Sequence, residues 1–327
     1  MTSVLVRRGL LLGVTGISLY LLAPALVQVF GSFPRLADLS PLWFAAMLVL
    51  QVGSYACMWA IQRLALRTDQ WQPVISSQLA ANAFGRIVPG GLAAAGALQY
   101  SMLVRGGVPA GRAASGMTAS SLLVFGTLLA LPLLALPAII GGAPVDPGLE
   151  TAALAGGVFF LLLFAAGVAA FAADRPLALL ARVFQAARNR LLRRRQPLTG
   201  LPERLLRERD LVRHTLGERW LRALLYASGR WLLDYLTLLA ALTAVGANPR
   251  PSLVLLSFCA AQALGSLPLT PGGLGFVEAG LTGTLALAGV PGAQAVVATL
   301  AYRLVSFWLP IPAGAIAAVL HRRRHGE

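Results

Sequence analysis

Twice in this chain a Pro-Gly-Gly word interrupts a stretch otherwise apolar enough for a bilayer: "RIVPGGLAAAGAL" from Arg86 to Leu98 and "LPLTPGGLGFVEAG" from Leu267 to Gly280. Proline removes a backbone donor and clashes with the preceding turn, and paired glycines permit positive φ, so neither stretch continues as one straight helix. Backbone broken in this way is not tolerated against lipid and has to be buried in protein or line a polar cavity. Any fold for this sequence must bring both interruptions inside.

That the solvent is lipid follows from composition. The 327 residues are 57% hydrophobic and 12% charged, with many apolar runs of twenty or more, which places the chain among all-α polytopic membrane proteins. A net charge of +15, carried entirely by arginine among the basic residues, would suggest nucleic acid in a soluble protein. Orientation in a membrane accounts for it here, and no nucleic-acid partner is expected. Cys57 and Cys259 lie inside apolar stretches without metal spacing or a disulfide framework, so neither a metal nor a cofactor is implied and the redox compartment stays open. The opening "MTSVLVRRGLLLGVTGISLY" imitates a signal peptide, with "APA" at Ala23 to Ala25 as its cleavage site. Its apolar run continues to Phe30, so a retained first helix is the better expectation.

Charge-free runs predict spans over Gly9 to Phe30, Pro41 to Ile61, Ala113 to Ile140 and Thr151 to Ala173. Two more carry buried charge: Ala223 to Val245 with Arg230 and Asp234, and Ala293 to Leu320 with Arg303. The broken segments, Pro73 to Val104 and Leu253 to Ala288, are decided by arginine, because short arginine-rich loops stay cytoplasmic. The loop Asp174 to Arg222 holds thirteen arginines, whereas Gly31 to Ser40 and Gly141 to Glu150 hold only Arg35. If both broken segments crossed fully, the thirteen-arginine loop would lie outside. If each is a re-entrant hairpin, that loop, the amino end with Arg7 and Arg8, and the tail "HRRRHGE" all fall in the cytoplasm. Length agrees: an arm such as Ser76 to Val88 rises roughly 20 Å, short of the ~30 Å hydrocarbon core. The first hairpin then enters from the cytoplasm and the second from outside, so their tips should meet. The arginine-rich stretches "RVFQAARNRLLRRR" and "ERLLRERDLVRH" read as amphipathic helices on an anionic inner leaflet.

A shift of 182 residues superposes Pro89-Gly90-Gly91-Leu92 on Pro271-Gly272-Gly273-Leu274, and Gly107-Val108-Pro109 on Gly289-Val290-Pro291. Two Gly/Pro words in one register indicate duplication. The repeats are residues 1–140, with a hairpin at about 73–104, and 151–320, with a hairpin at about 253–288 and the basic loop 174–222 inserted. Each holds three full crossings, so the second is inverted: six spans, two re-entrant hairpins and a site between the repeats. Half-helices beginning near Leu92 and Leu274 would turn their amide donors and positive dipole ends toward an anion, with Thr270 capping ahead of Pro271.

A charge inside a span costs roughly 2.5 to 3.5 kcal/mol on insertion scales, so such residues face a cavity or a partner. Arg86, three residues before the first break and without a nearby acid in sequence, is the leading candidate for an anionic headgroup, with pairing to Glu278 or backbone carbonyls as the alternative. Glu278 and Arg303 are expected to pair, either as scaffold or as a gate. Arg230 and Asp234, one turn apart, form a self-compensated pair. Gln78, Asn82, Gln99 and Tyr100 in the first hairpin, Gln262 and Ser266 in the second, and Tyr302 beside Arg303 either wet a headgroup groove or hold helices together.

The words "LPLTPGGLGFVEAGL" and "GVPGAQAVVATLAYRLVSFWLPIPAG" resemble the second-repeat signature of the lysylphosphatidylglycerol synthase transmembrane-region family, also called flippase-like domain proteins. "NAFGRIVPGGLAAAGALQYSMLVRGGV" resembles its first-repeat counterpart more loosely. The resemblance implies a multi-pass protein of the bacterial or archaeal cytoplasmic (inner) membrane, in which this region moves an aminoacylated phospholipid between leaflets. The larger relatives continue into a cytosolic aminoacyl transferase domain; this sequence runs seven residues past its last span, so synthase activity is not expected. Gly96 stands where the second repeat has Glu278, which leaves any acid after the first break missing.

The leading expectation is thus a non-enzymatic translocator of an anionic phospholipid or lipid-linked phosphate or sugar, with membrane lipids as partners. An enzyme acting on a lipid phosphate, glycosyltransferase-like or a phosphatase, would need acids or histidines converging at one wet face. Outside there are only Asp38, Asp146 and Glu150 on short loops, while His214, His321 and His325 sit in or after basic segments. A subunit that presents lipid to a separate partner enzyme is the third possibility. The oligomeric state, the lipid and the direction of movement are not written in the sequence.

Overall fold

The computed structural model describes residues 40–88, 91–134, 164–191, 199–265 and 271–325, with single positions 158, 161, 162 and 197. The expected first span, most of Thr151 to Ala173, Asp38, Asp146, Glu150, Pro89, Gly90, Ser266 and Thr270 lie outside the described residues. Among those described every regular element is helical and none is a strand.

Helix α1, Pro41–Leu66, starts with proline at its first turn and has no charge before Arg63. Its 26 residues rise about 39 Å. It ends at Arg67 in the left-handed region (φ 49°), whose amide returns to Arg63 and Leu64. Helices α2, Trp71–Ile87, and α3, Gly91–Arg105, flank the first break. They run antiparallel, since Gly85 meets Gly91 and Ala95 near the break while Pro73 meets Gly106 at the open end. A Cβ on Gly91 would lie 2.9 Å from the Gly85 carbonyl oxygen, so this closure needs glycine.

Helix α4, Ala110–Ala130, runs on as a 3₁₀ turn to Leu134. After the short helix α5, Phe164–Ala172, the chain bends by 115° into α6, Asp174–Leu191. Helix α7, Leu201–Leu216, holds that bend: Arg213 donates to the Phe171 carbonyl and lies over its ring, and Arg209 donates to Asp174. The hydrogen bonds that Arg209 donates to Asp174 and Asp210 raise its pKa above its ordinary value, so it stays cationic. Helix α7 also packs on α4 and α1, tying the arginine-rich insertion to the helices beneath it.

Helix α8, Trp220–Ala244, lies at the centre, packed along α1 and touching α4 and the second half. Gly53 and Gly229 permit that approach, facing Leu233 and Cys57 at 3.1 and 3.2 Å from a notional Cβ. Helix α9, Pro251–Gly265, and α10, Phe276–Leu287, pack together across the second break as α2 and α3 do across the first. The main core lies here, around Phe258, Leu238, Leu281 and Val305. The last helical stretch is continuous over Gly292–Arg324. It comprises α11, Gly292–Arg303, a π-turn over Leu304–Trp308, and α12, Pro310–His325. Helix α12 lies close along α2, where Gly314 sits against the Leu79 carbonyl and Ala83.

Three described helical stretches are long and apolar enough to cross a membrane: Pro41–Leu66, Ala110–Leu134 and Gly292–Arg324. Helix α8 has the length, at 25 residues, but carries Arg230 and Asp234. The chain is therefore an all-helical, multi-pass membrane protein.

Candidate functional site

The two breaks meet. Residues 271–273 pack on α2, and a Cβ on Gly272 would lie 3.4 Å from the Arg86 Cα and 2.4 Å from the Phe307 ring. Gly272, Gly273 and Gly275 all have positive φ (57°, 72° and 82°), which prolongs the turn. The second break opens as a 3₁₀ turn over Pro271–Gly273, and α10 follows from Phe276, two residues beyond the expected start near Leu274, with Gly275 at its capping position; the cap expected at Thr270 lies outside the described residues. The first half-helix does begin at the break, at Gly91.

A second correction concerns the amide donors. Glu278, in the first turn of α10, accepts the Gly275 amide on Oε2 at 2.7 Å, a reach-back that neutralises the positive end of the helix. Its Oε1 accepts Arg303 Nε at 2.7 Å. The expected Glu278–Arg303 pair thus forms, with both side chains largely enclosed (13% and 9% exposed), and it leaves less positive potential at the second break than the sequence suggested.

Arg86 does not pair with Glu278. Its guanidinium donates to the Phe307 carbonyl and, at 3.0 Å, to the Tyr55 hydroxyl, and it has no carboxylate partner among the described residues. The carbonyl is available because of local sequence. In the π-turn Leu309 bonds back five residues to Leu304, and in that widened register the Phe307 carbonyl would look to residue 312, which is proline and has no amide. Arg86 and Arg303 both lie over the Phe307 ring, at 4.9 and 4.2 Å from its centre.

Asp234 anchors an adjoining cluster. Tyr302 donates to its Oδ1 at 3.1 Å and Gln262 to its Oδ2 at 3.2 Å, while Arg230 reaches Oδ2 only at 3.5 Å. The expected Arg230–Asp234 pair is therefore present but loose, and Asp234 belongs as much to α9 and α11 as to its own helix. Since Tyr302 precedes Arg303 on α11, the two clusters are continuous: three guanidiniums with two carboxylates, leaving one positive charge on Arg86.

Of the remaining candidates, Asn82 lies one turn before Arg86 on the same side of α2, half-buried. Tyr100 is 38% exposed on α3 and takes no part in either cluster. Gln78 accepts from Trp59, and Gln99 donates to Gln62, so both join α1 to the hairpin. Tyr55 and Phe307 were not singled out by sequence. The signal for Phe307 was "SFWLPIPAG", whose two prolines force the free carbonyl; Tyr55 in a charge-free span gave none.

Comparison with known proteins adds the lineage. Two curated relatives, both described as a UPF0104 membrane protein of Methanothermobacter thermautotrophicus, match in part. One is 36% identical over 86 residues, 26% of each chain. The other is 30% identical over 96 residues, 29% of this chain and 27% of the relative. The matched segments thus span about a quarter of those relatives. No solved structure matches. The family described as the lysylphosphatidylglycerol synthase TM region matches residues 10–314. With nearly its whole length so matched, the chain belongs to the lysylphosphatidylglycerol synthase transmembrane-region family.

Proposed function

We propose that this protein is a lipid translocator that carries an anionic headgroup, of a phospholipid or a lipid-linked phosphate or sugar, between leaflets while the acyl chains stay in the bilayer. The observation that carries the proposal is Arg86: a half-buried guanidinium with no carboxylate partner among the described residues, set where two broken helices meet. A permanent charge in such surroundings is costly. Two neutral oxygens, from Phe307 and Tyr55, hold it only in part, and a phosphate would complete it. Arg303, fixed by Glu278, supports the same ring of Phe307 and keeps the second turn in place.

The architecture proposed for transport is an inverted repeat of six spans and two re-entrant hairpins, in the cytoplasmic membrane with both termini inside. The 182-residue shift supports it: Ala110, the first residue of α4, falls on Gly292, the first of α11, and Arg105, the last of α3, on Leu287, the last of α10. At 17 and 15 residues, α2 and α3 rise about 26 and 23 Å, too short to cross ~30 Å of hydrocarbon.

Leaflet exchange of a fluorescent anionic phospholipid in liposomes tests the proposal. Purified protein alone should accelerate exchange, and Arg86→Gln should lower the rate about tenfold or more, as expected for losing a charge-assisted contact. Equal rates for wild type, Arg86→Gln and protein-free vesicles would remove it.

A further inference from the structure

Resting on the translocator reading, we infer that the headgroup this site selects is an anionic polyol, a phosphodiester bearing hydroxyls such as glycerol, inositol or a sugar, and not an amine or an aminoacyl ester. The donors and acceptors around Arg86 decide between these headgroups.

An ammonium entering a low-dielectric site needs a carboxylate. Among the described residues of the site, both carboxylates are already engaged on both oxygens. Glu278 gives Oε1 to Arg303 and Oε2 to the Gly275 amide. Asp234 gives Oδ1 to Tyr302 and Oδ2 to Gln262 and Arg230. The surplus charge is positive and sits on Arg86, so a second cation would meet repulsion and no counter-ion. A phosphodiester, with a single negative charge, balances that surplus; a zwitterionic headgroup leaves it unbalanced.

Hydroxyls, by contrast, find unused amide groups on the two helices that hold the arginine. Gln51 lies one turn before Tyr55 on the same side of α1, and Tyr55 is the partner of Arg86. Gln51 is 6% exposed, and its Oε1 has no hydrogen-bond partner among the described residues. A buried acceptor without a donor is costly, and a headgroup hydroxyl supplies one. Asn82, one turn before Arg86, makes no side-chain hydrogen bond among the described residues. Amide side chains offer a donor and an acceptor side by side, which matches a hydroxyl and mismatches an ammonium, which only donates.

Two readouts on the full-length protein separate this inference from the translocator reading. Binding in detergent micelles is measured by competition against a fluorescent phosphatidylglycerol. Phosphatidylglycerol and phosphatidylinositol should compete about tenfold better than phosphatidylethanolamine or lysyl-phosphatidylglycerol, the scale expected when a buried polar group is left unpaired. Gln51→Glu, which adds an unengaged carboxylate, should narrow or reverse that preference, and Asn82→Leu should weaken polyol binding while sparing thermal stability. Equal competition by all four lipids, or an unchanged preference in both variants, overturns the inference and leaves translocation standing. Selective binding without leaflet exchange upholds the polyol preference and removes the translocator. No binding by any of the four overturns both.

Discussion

Arg86 and Arg303 lie over the same phenylalanine ring, yet they differ in what holds them. Arg303 shares a nearly closed ion pair with Glu278, so breaking it strands a charge; Arg303→Met or Glu278→Gln should cost about 3–5 kcal/mol, seen as a lowered unfolding temperature in detergent. Arg86 has no hydrogen-bonded carboxylate among the described residues to strand. Arg86→Gln should therefore leave the unfolding temperature close to that of wild type while lowering exchange about tenfold or more. The reverse pattern, a large stability loss at Arg86 and none at Arg303, would show that their roles are exchanged. Phe307→Leu keeps volume but removes the ring under both guanidiniums, and should slow exchange by about threefold to tenfold, the loss of one or two cation–π contacts. The pair of Glu278 with Arg303 was legible in sequence as two intramembrane charges in need of partners. Tyr55 was not, because a hydroxyl in a charge-free span carries no signal until its partner is seen, and the Phe307 carbonyl was announced only by the prolines that follow it.

At the scale of elements, the breaks matter through their glycines. Gly272 combines φ 57° with a space that Phe307 already fills. Gly272→Ala should cost about 1–3 kcal/mol for the backbone alone, and the clash at 2.4 Å must push Phe307 away from Arg86. Exchange should fall more than stability does, measured side by side on the same preparation. Helix α12 makes a comparable demand, for Gly314 faces the Leu79 carbonyl at 2.3 Å from a notional Cβ. Gly314→Leu should separate α12 from α2 and, with it, the π-turn from Arg86, seen as a fall in exchange together with a lowered unfolding temperature. Sequence patterns located these helices to within a few residues at most ends, since apolar length and Gly/Pro words are local properties. They missed the start of α10 by two residues, because three positive-φ glycines lengthened the turn, and the π-turn, because Pro310 and Pro312 announce missing amides without saying that the helix runs on past them in a widened register.

At the scale of the whole molecule the decisive test is sidedness. With Cys57 and Cys259 replaced, Arg204→Cys on the exposed side of α7 should react with an impermeant maleimide only from the cytoplasmic face, and Arg250→Cys before α9 only from outside. Labelling of Arg204→Cys from outside would dissolve the inverted arrangement and the transport proposal with it. By itself the sequence determined the solvent, the helical class, three of the spans among the described residues, and the existence of two interruptions that lipid would not accept, because each depends only on hydropathy and local backbone chemistry. Only the tertiary structure decided which intramembrane charges neutralise one another and which does not. Partner choice depends on where 2.7 Å contacts fall between segments far apart in the chain, and those distances are set by the packing of glycine surfaces that leave no trace in composition.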